Sequence, residues 1–420
     1  MCLQDFEQAG TAQMMEKAAK LGFSFDSPDW VNFGQGAPEL GFIQGDLDRL
    51  ESLVLKNSFG YTPVPGLPIL RQKIADYYNF SRSLTNSFNS SFDKISNSTQ
   101  PHQKAFSKEN VNISSGGGRG ALLKIFASLK KGSKIGYLNP DYTAYKGIFQ
   151  IFSDLKYFPI NLDSENGFKI DLNLIKAAIK KHSLDIIFFS NPSNPTGQVL
   201  TSLELIQLLQ FCKQENCLLI HDEFYSKFVY NSKTYIFSAL NYISDIEKEN
   251  LIILDGLTKG WRYPGFRLSW IISNSKNIQK INNLSSVLDG GCSHPIQKLA
   301  LQLFDTSKLI SQSLALQDNF NQKREYLLQN LLKLGFKINS EPYGAFYIFA
   351  GIHNFKNRFL DDLDFSQKLL TQKLITIPGR FFNLNLEQEK SLDINNFVRF
   401  SYGLEMSKIK QGIKILEKYL

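Results

Sequence analysis

At 420 residues, 43% hydrophobic and 20% charged, the chain is long enough for two or three structural units and too apolar to be disordered throughout. Its net charge of +8 is spread along the chain. No block of five or six basic residues occurs, and no helix-turn-helix, zinc-finger or RNP-like string, which argues against a nucleic-acid partner. No apolar run nears the roughly 18 residues of a membrane span. The first ten residues carry Asp5 and Glu7 and no apolar stretch, so no secretory signal is expected. Cys2, Cys212, Cys217 and Cys292 are too sparse for a disulfide framework and lack zinc-like pairing. The expectation is a cytoplasmic protein with reduced thiols, no metal and no membrane contact.

In chain order, Asn79 to Gln103 is dense in Ser, Asn and Thr and reads as a long loop or insertion. Val111 to Ser115 is strand-like and leads through Gly116 to Gly120 into an apolar helix, Ala121 to Leu129. Further strand candidates are Lys134 to Leu138, Leu184 to Ser190, Cys217 to Ile220 and Leu251 to Asp255, with a helical stretch at Leu203 to Gln214. This alternation predicts an α/β fold with a mainly parallel sheet. From about residue 295 a long helical region, His294 to Leu334, leads into Phe336 to Asn339 and Gly344 to Ile348. A last strand, Phe397 to Ser401, then precedes a terminal helix from Met406. These segments read as a smaller α+β domain.

Ligands of open parallel sheets sit outside the carboxyl ends of the strands, so the residues just after each strand carry the functional reading. Glycines 116 to 120 open a helix and could let backbone N–H groups approach a phosphate, though a tight strand-to-helix turn explains them equally well. They fit neither a Gly-x-Gly-x-x-Gly nor a Gly-Lys-Ser/Thr template. Tyr142 could stack on an aromatic ligand or cap the core. Asn191 to Gly197 is an ordered turn rich in Asn and Pro. Asp222, Glu223 and Tyr225 follow the next strand, and Lys259 and Arg267 the one after. A lysine able to form a Schiff base, an arginine for a phosphate, a buried acid for a ring nitrogen and aromatic cover together describe a site for pyridoxal phosphate.

With those motifs in order, the sequence resembles the class I/II aminotransferases, the fold-type I pyridoxal-phosphate enzymes. The resemblance runs from about Val31 to the C-terminus. It rests on Phe33 to Pro38, Tyr61 to Arg71, Asn191 to Gly197, Asp222 to Tyr225, Thr258-Lys259, Arg267 and Arg399 to Gly403. It implies a large domain over residues 51–295 with an insertion at 81–107, a linking helix and small domain over 296–420, and an N-terminal arm over 1–50 packing on the small domain. It implies Lys259 as the Schiff-base lysine and Asp222 as partner of the pyridine nitrogen. Tyr225 and Asn194 would bond the ring hydroxyl oxygen, and Tyr142 would stack on the ring. Gly117, Gly118, Arg119 and Arg267 would hold the phosphate, and Arg399 with the Gly36 backbone the substrate α-carboxylate. Tyr61 would reach the neighbouring subunit's phosphate, which implies a homodimer.

Two departures stand out. Gly256 occupies a position where many members have Ser, and the run 116–120 replaces a Ser/Thr-Gly-x pattern. His221 reads as a core residue, and Arg262 as either a solvated turn residue or one facing the site. The expected activity is amino transfer from an amino acid to a 2-oxo acid. Elimination or cyclisation on the same cofactor, as in C–S lyases, aminocyclopropane-carboxylate synthases or amino-acid cyclases, is the alternative. A transcriptional regulator is disfavoured because about thirty residues before Val31 are too few for a winged helix.

Overall fold

The computed structural model describes residues 5–6, 8–46, 50, 52, 56–92, 103–230, 234–386 and 393–420, with only the backbone of 86–92. The strands are β1 (Val31–Asn32), β2 (Val111–Ser115), β3 (Lys134–Asn139), β4 (Lys156–Asn161), β5 (Ile186–Ser190) and β6 (Leu218–Asp222). They continue with β7 (Leu251–Gly256), β8 (Leu268–Ser273), β9 (Tyr347–Gly351), β10 (Leu374–Ile375), β11 (Ile377–Pro378) and β12 (Phe397–Ser401). The helices are α1 (Gly10–Lys20), α2 (Pro68–Phe92), α3 (Gly117–Ala127), α4 (Ala144–Ile151), α5 (Leu172–His182) and α6 (Ser202–Gln214). After them come α7 (Ser275–Leu288), α8 (His294–Ala300), α9 (Leu309–Lys333), α10 (Asp362–Leu370) and α11 (Met406–Tyr419).

The large sheet has seven strands in the order β2-β8-β7-β6-β5-β3-β4. Only β8 runs against its neighbours, so the mainly parallel α/β reading is correct. The central strands are apolar runs because both faces are covered, as a parallel sheet requires. Ile187 and Phe189 of β5 pack with Ile74 of α2, Ile175 of α5 and Leu205 of α6. Ile186 and Phe188 face the other side, with Ile125 of α3 and Phe149 of α4. Alternate side chains of one strand thus enter two cores. A second sheet, β11-β12-β9, is antiparallel, and β1 pairs with β10 in parallel, Val31 opposite Leu374.

Three expectations need correction. The Ser/Asn-rich segment is not a loop from Asn79, because α2 continues to Phe92. Ser and Asn cost a helix only some tenths of a kcal/mol each. Against that, Tyr77 and Tyr78 are buried, and Arg82 donates to the Ile243 and Lys104 carbonyls. The rest of the expected insertion, residues 93–102, lies outside the described residues. The helix foreseen over His294 to Leu334 is broken between α8 and α9. There Phe304 packs on Tyr77, Trp261 and Trp270, and Asp305 caps a new turn by accepting from the Ser307 N–H at 3.0 Å. Phe336 to Asn339 forms no strand, only a bridge from Lys337 to Gly351.

Candidate active site

Apart from β8, the strands of the large sheet end on one edge, and there the chain opens a cavity of about 980 Å³. Its wall includes Gly36, Gly118, Arg119, Tyr142, Asn194, Asp222, Tyr225, Lys259, Arg267 and Arg399. Gly117 lies beside it under Arg267. Tyr61 is elsewhere: it is fully exposed and does not line the cavity.

Lys259 follows β7 and turns its Nζ to the Gly36 carbonyl, to which it donates. Burial, then the nearby charges of Arg399 and Arg267, lower its pKa to about 7. Its amine is therefore partly free at neutral pH, the state a nucleophilic lysine needs. Asp222 ends β6, where burial raises its pKa to about 6. Tyr145, in the first turn of α4, donates its hydroxyl to Asp222 Oδ2 at 2.6 Å. The Phe224 N–H reaches the other oxygen at 3.2 Å.

Arg399 of β12 is almost wholly buried, which lowers its pKa. It donates to Asn194 Oδ1 at 2.9 Å and to the Gly34 carbonyl at 2.8 Å, and its guanidinium lies 4.2 Å from the Tyr347 ring centre. Its Nε is buried with no partner. The Tyr347 and Tyr225 hydroxyls meet at 2.9 Å, and burial pushes both pKa values up. Asp141 fixes the loop that carries Tyr142. It accepts from the Tyr142 N–H at 2.7 Å and from the Ser190 hydroxyl at 2.5 Å, and that same hydroxyl accepts from the Asn194 N–H at 3.2 Å.

The glycine run is tighter than expected. The helix begins at Gly117, and the glycines form its first turn. Gly117 has φ +64°, and a Cβ there would stand 2.8 Å from the Arg267 guanidinium. A Cβ on Gly118 would meet the Phe224 ring at 2.8 Å. Contrary to its expected phosphate role, the Gly117 N–H donates to the Arg267 carbonyl at 2.9 Å; the next first-turn N–H groups, of Gly118 and Arg119, have no intrahelical partner, and Arg267 and Arg119 add positive charge beside them. Arg119 also donates to the Tyr142 hydroxyl at 2.9 and 3.1 Å. The Thr258 hydroxyl is buried without a partner at the same end. Gly256 has no room for the Ser that the family resemblance led one to expect there: a Cβ would stand 2.8 Å from the Leu268 carbonyl and 2.9 Å from Phe224. A phosphate suits this donor set, and among the described residues the Thr258 hydroxyl and Arg399 Nε are buried donors without a protein partner.

Arg262 is corrected from solvated to buried. Its side chain pairs with Asp46 at 2.7 Å and donates to the Glu39 and Gly41 carbonyls. It thereby pins the segment that continues from Gly36. His221 is a buried core residue, its Nδ1 2.7 Å from Glu223 Oε1. Tyr145, Asp141 and Tyr347 had no assigned role in the sequence.

A family model described as aminotransferase class I and II matches residues 28–416. The chain is 25% identical over 395 residues to an aspartate aminotransferase of Sulfurisphaera tokodaii, covering 93% of this chain and 90% of that one. It is 24% identical over 421 residues to the (5-formylfuran-3-yl)methyl phosphate transaminase of Methanocaldococcus jannaschii, covering 100% and 98%. Among solved structures, an aminotransferase from Mycobacterium tuberculosis superposes with a TM-score of 0.78 at 20% identity, over 99% of this chain and 97% of that one. These relatives transfer amino groups, which favours transfer over the elimination or cyclisation alternative.

Proposed function

As a member of the class I and II aminotransferases, and so an aminotransferase, the chain carries a site that we propose holds pyridoxal 5′-phosphate on Lys259. The observation that carries this reading is the placement of Lys259 Nζ in one cavity with Asp222, Arg267 and Arg399. When bound, the cofactor supplies a carbonyl that takes up the amino group and a ring that accepts electrons from the substrate α-carbon.

The chain's own residues divide the remaining work. Arg267, Arg119 and the first turn of α3 hold the phosphate. Asp222, braced by Tyr145, keeps a proton on the ring nitrogen. Tyr142 packs on the ring, and Tyr225 and Asn194 bond its hydroxyl oxygen. The Lys259 amine would take a proton from the substrate α-carbon and return it on the far side of the transferred nitrogen, as base and then acid. Arg399 grips the α-carboxylate with its planar fork, and the Gly36 backbone lies beside the same group.

The working unit is a homodimer in the cytoplasm. Phe59, Tyr61, Val287 and Leu288 are exposed apolar side chains. Their segments adjoin, since the Gly60 carbonyl lies 3.0 Å from His294 Nδ1 and the Thr62 hydroxyl donates to the Cys292 carbonyl. A second copy would cover this surface and receive Tyr61 at its phosphate. No described helix is long and apolar enough to cross a membrane.

The test is an amino-donor screen on the purified, cofactor-loaded protein, reading the absorbance change from the aldehyde to the amine form of the cofactor. Transfer is expected, with the spectrum restored by a 2-oxo acid. Release of ammonia without that restoration would return the lyase alternative.

A further inference from the structure

Relatives at this level of identity are named for substrates as different as aspartate and a furanyl-methyl phosphate. Side-chain preference therefore rests on the walls of this cavity. Beyond the proposed cofactor contacts, one wall is built by Met15, Phe23, Phe25, Trp30, Leu40 and Leu404. Phe23 is its centre, meeting Phe25 and Trp30 edge-on with ring centres 5.5 Å away in each case. Trp30 directly precedes β1, which runs on to Gly34 and so to the carbonyl that accepts from Arg399. The aromatic wall thus lies along the segment that reaches the α-carboxylate grip. Phe25 is 86% exposed and Leu40 53% exposed, although both line the cavity. Large apolar groups left open inside a cleft mark a surface that a ligand covers.

The charges of the wall point the same way. The Lys408 ammonium donates to the Pro28 and Trp30 carbonyls. Arg119 is turned to Tyr142, Arg267 to the Gly116 and Pro264 carbonyls, and Arg399 to Asn194 and Gly34. Glu39 lines the cavity, paired with Lys323, and Glu405 lines it as well. Among the described wall residues a second substrate carboxylate would meet Glu405, and the nearby Lys408 ammonium is already engaged by two carbonyls.

We infer that the amino acid this enzyme turns over carries a large apolar side chain, aromatic by preference, seated against Phe23, Phe25, Trp30 and Leu40. The inference rests on the aminotransferase reading of the same site. Two rings meeting edge to face, with a Met thioether beside them, are the contacts an aromatic side chain finds here.

The experiment is the half-reaction of the cofactor-loaded protein with L-phenylalanine, L-alanine and L-aspartate, in the unaltered chain and in Phe25→Ala and Phe25→Arg. Burying a phenyl ring should raise kcat/KM for phenylalanine over alanine by on the order of tenfold or more. Phe25→Ala should lower the phenylalanine-to-alanine ratio about threefold, half of a tenfold gain in free energy. Phe25→Arg should shift preference toward aspartate. Because Phe25 is largely exposed, neither change removes core packing. Aspartate outpacing phenylalanine in the unaltered chain overturns the inference and leaves the aminotransferase reading standing. A phenylalanine-to-alanine ratio untouched by Phe25→Ala also overturns it. If no amino acid changes the bound cofactor's spectrum, the aminotransferase reading fails and this inference with it.

Discussion

Tyr145 and Asp222 share a proton-mediated contact of 2.6 Å, buried where α4 begins against the end of β6. The tyrosine favours the ionised acid, against the burial that disfavours it. Tyr145→Phe should keep the ring and lose that support. A hydrogen bond to a charged group is worth roughly 1.5–3 kcal/mol, so α-proton removal should slow on the order of ten- to a hundredfold. Cofactor retention should change little. Single-turnover rates equal to the unaltered protein would remove Tyr145 from the mechanism.

Lys259 should govern cofactor capture through its depressed pKa of about 7. Below that value the amine is protonated and cannot attack a carbonyl. The rate at which apoprotein binds pyridoxal phosphate should therefore rise about tenfold per pH unit up to 7 and flatten above it. Borohydride should fix the cofactor on Lys259, and Lys259→Ala should abolish both fixation and turnover. A capture rate still climbing at pH 9, or label on another lysine, contradicts the assignment.

Asp222 should cost the apoprotein stability. Burial raises its pKa to about 6, above the value of about 3.9 in an unfolded chain. Between those values the folded chain keeps a proton that the unfolded chain has released. Stability should fall as pH rises from about 4 to 6, and the loss, on the order of 3 kcal/mol, should persist at pH 7. Asp222→Asn should then raise the apoprotein Tm at pH 7 while strongly slowing turnover. Calorimetry at pH 4 and pH 7 reads the difference; a lower Tm in the variant at pH 7 defeats the argument.

Arg399 and Arg267 make a paired test. Arg399→Lys replaces a planar fork by a point charge and should weaken amino-acid substrates, by roughly 1.5–3 kcal/mol for one lost charged hydrogen bond, while sparing the cofactor. Arg267→Lys should loosen the cofactor first. Substrate KM and cofactor dissociation measured in both variants decide it. The opposite pattern would mean the two arginines are assigned to the wrong anions.

The strand-end residues were legible because chemistry and position coincide there: Lys259 and Asp222 each follow an apolar run long enough to read as a strand. Tyr145 and Tyr347 were not, since a buried tyrosine in an apolar segment looks like core until a partner is seen. Arg262 misled for the opposite reason. It sits in a turn-like Trp-Arg-Tyr-Pro-Gly string, and its partner Asp46 is remote in the chain. The extension of α2 past Asn79 escaped because composition reports local preference, whereas Tyr77, Tyr78 and Arg82 hold the helix through tertiary contacts.

The pairing of Val31 with Leu374 also sets an order of assembly. Synthesis delivers β1 first, yet its hydrogen-bonding partner emerges only near the end of the chain. Until then the aromatic wall before β1 and the carbonyl of Gly34 have no fixed place, although the large sheet can already pair. A nascent chain stalled in the small-sheet region would therefore own Lys259 and Asp222 but lack the finished substrate pocket, and would expose Trp30, which is buried in the folded chain. Chemical competence and selectivity would thus arrive at different moments of the same translation.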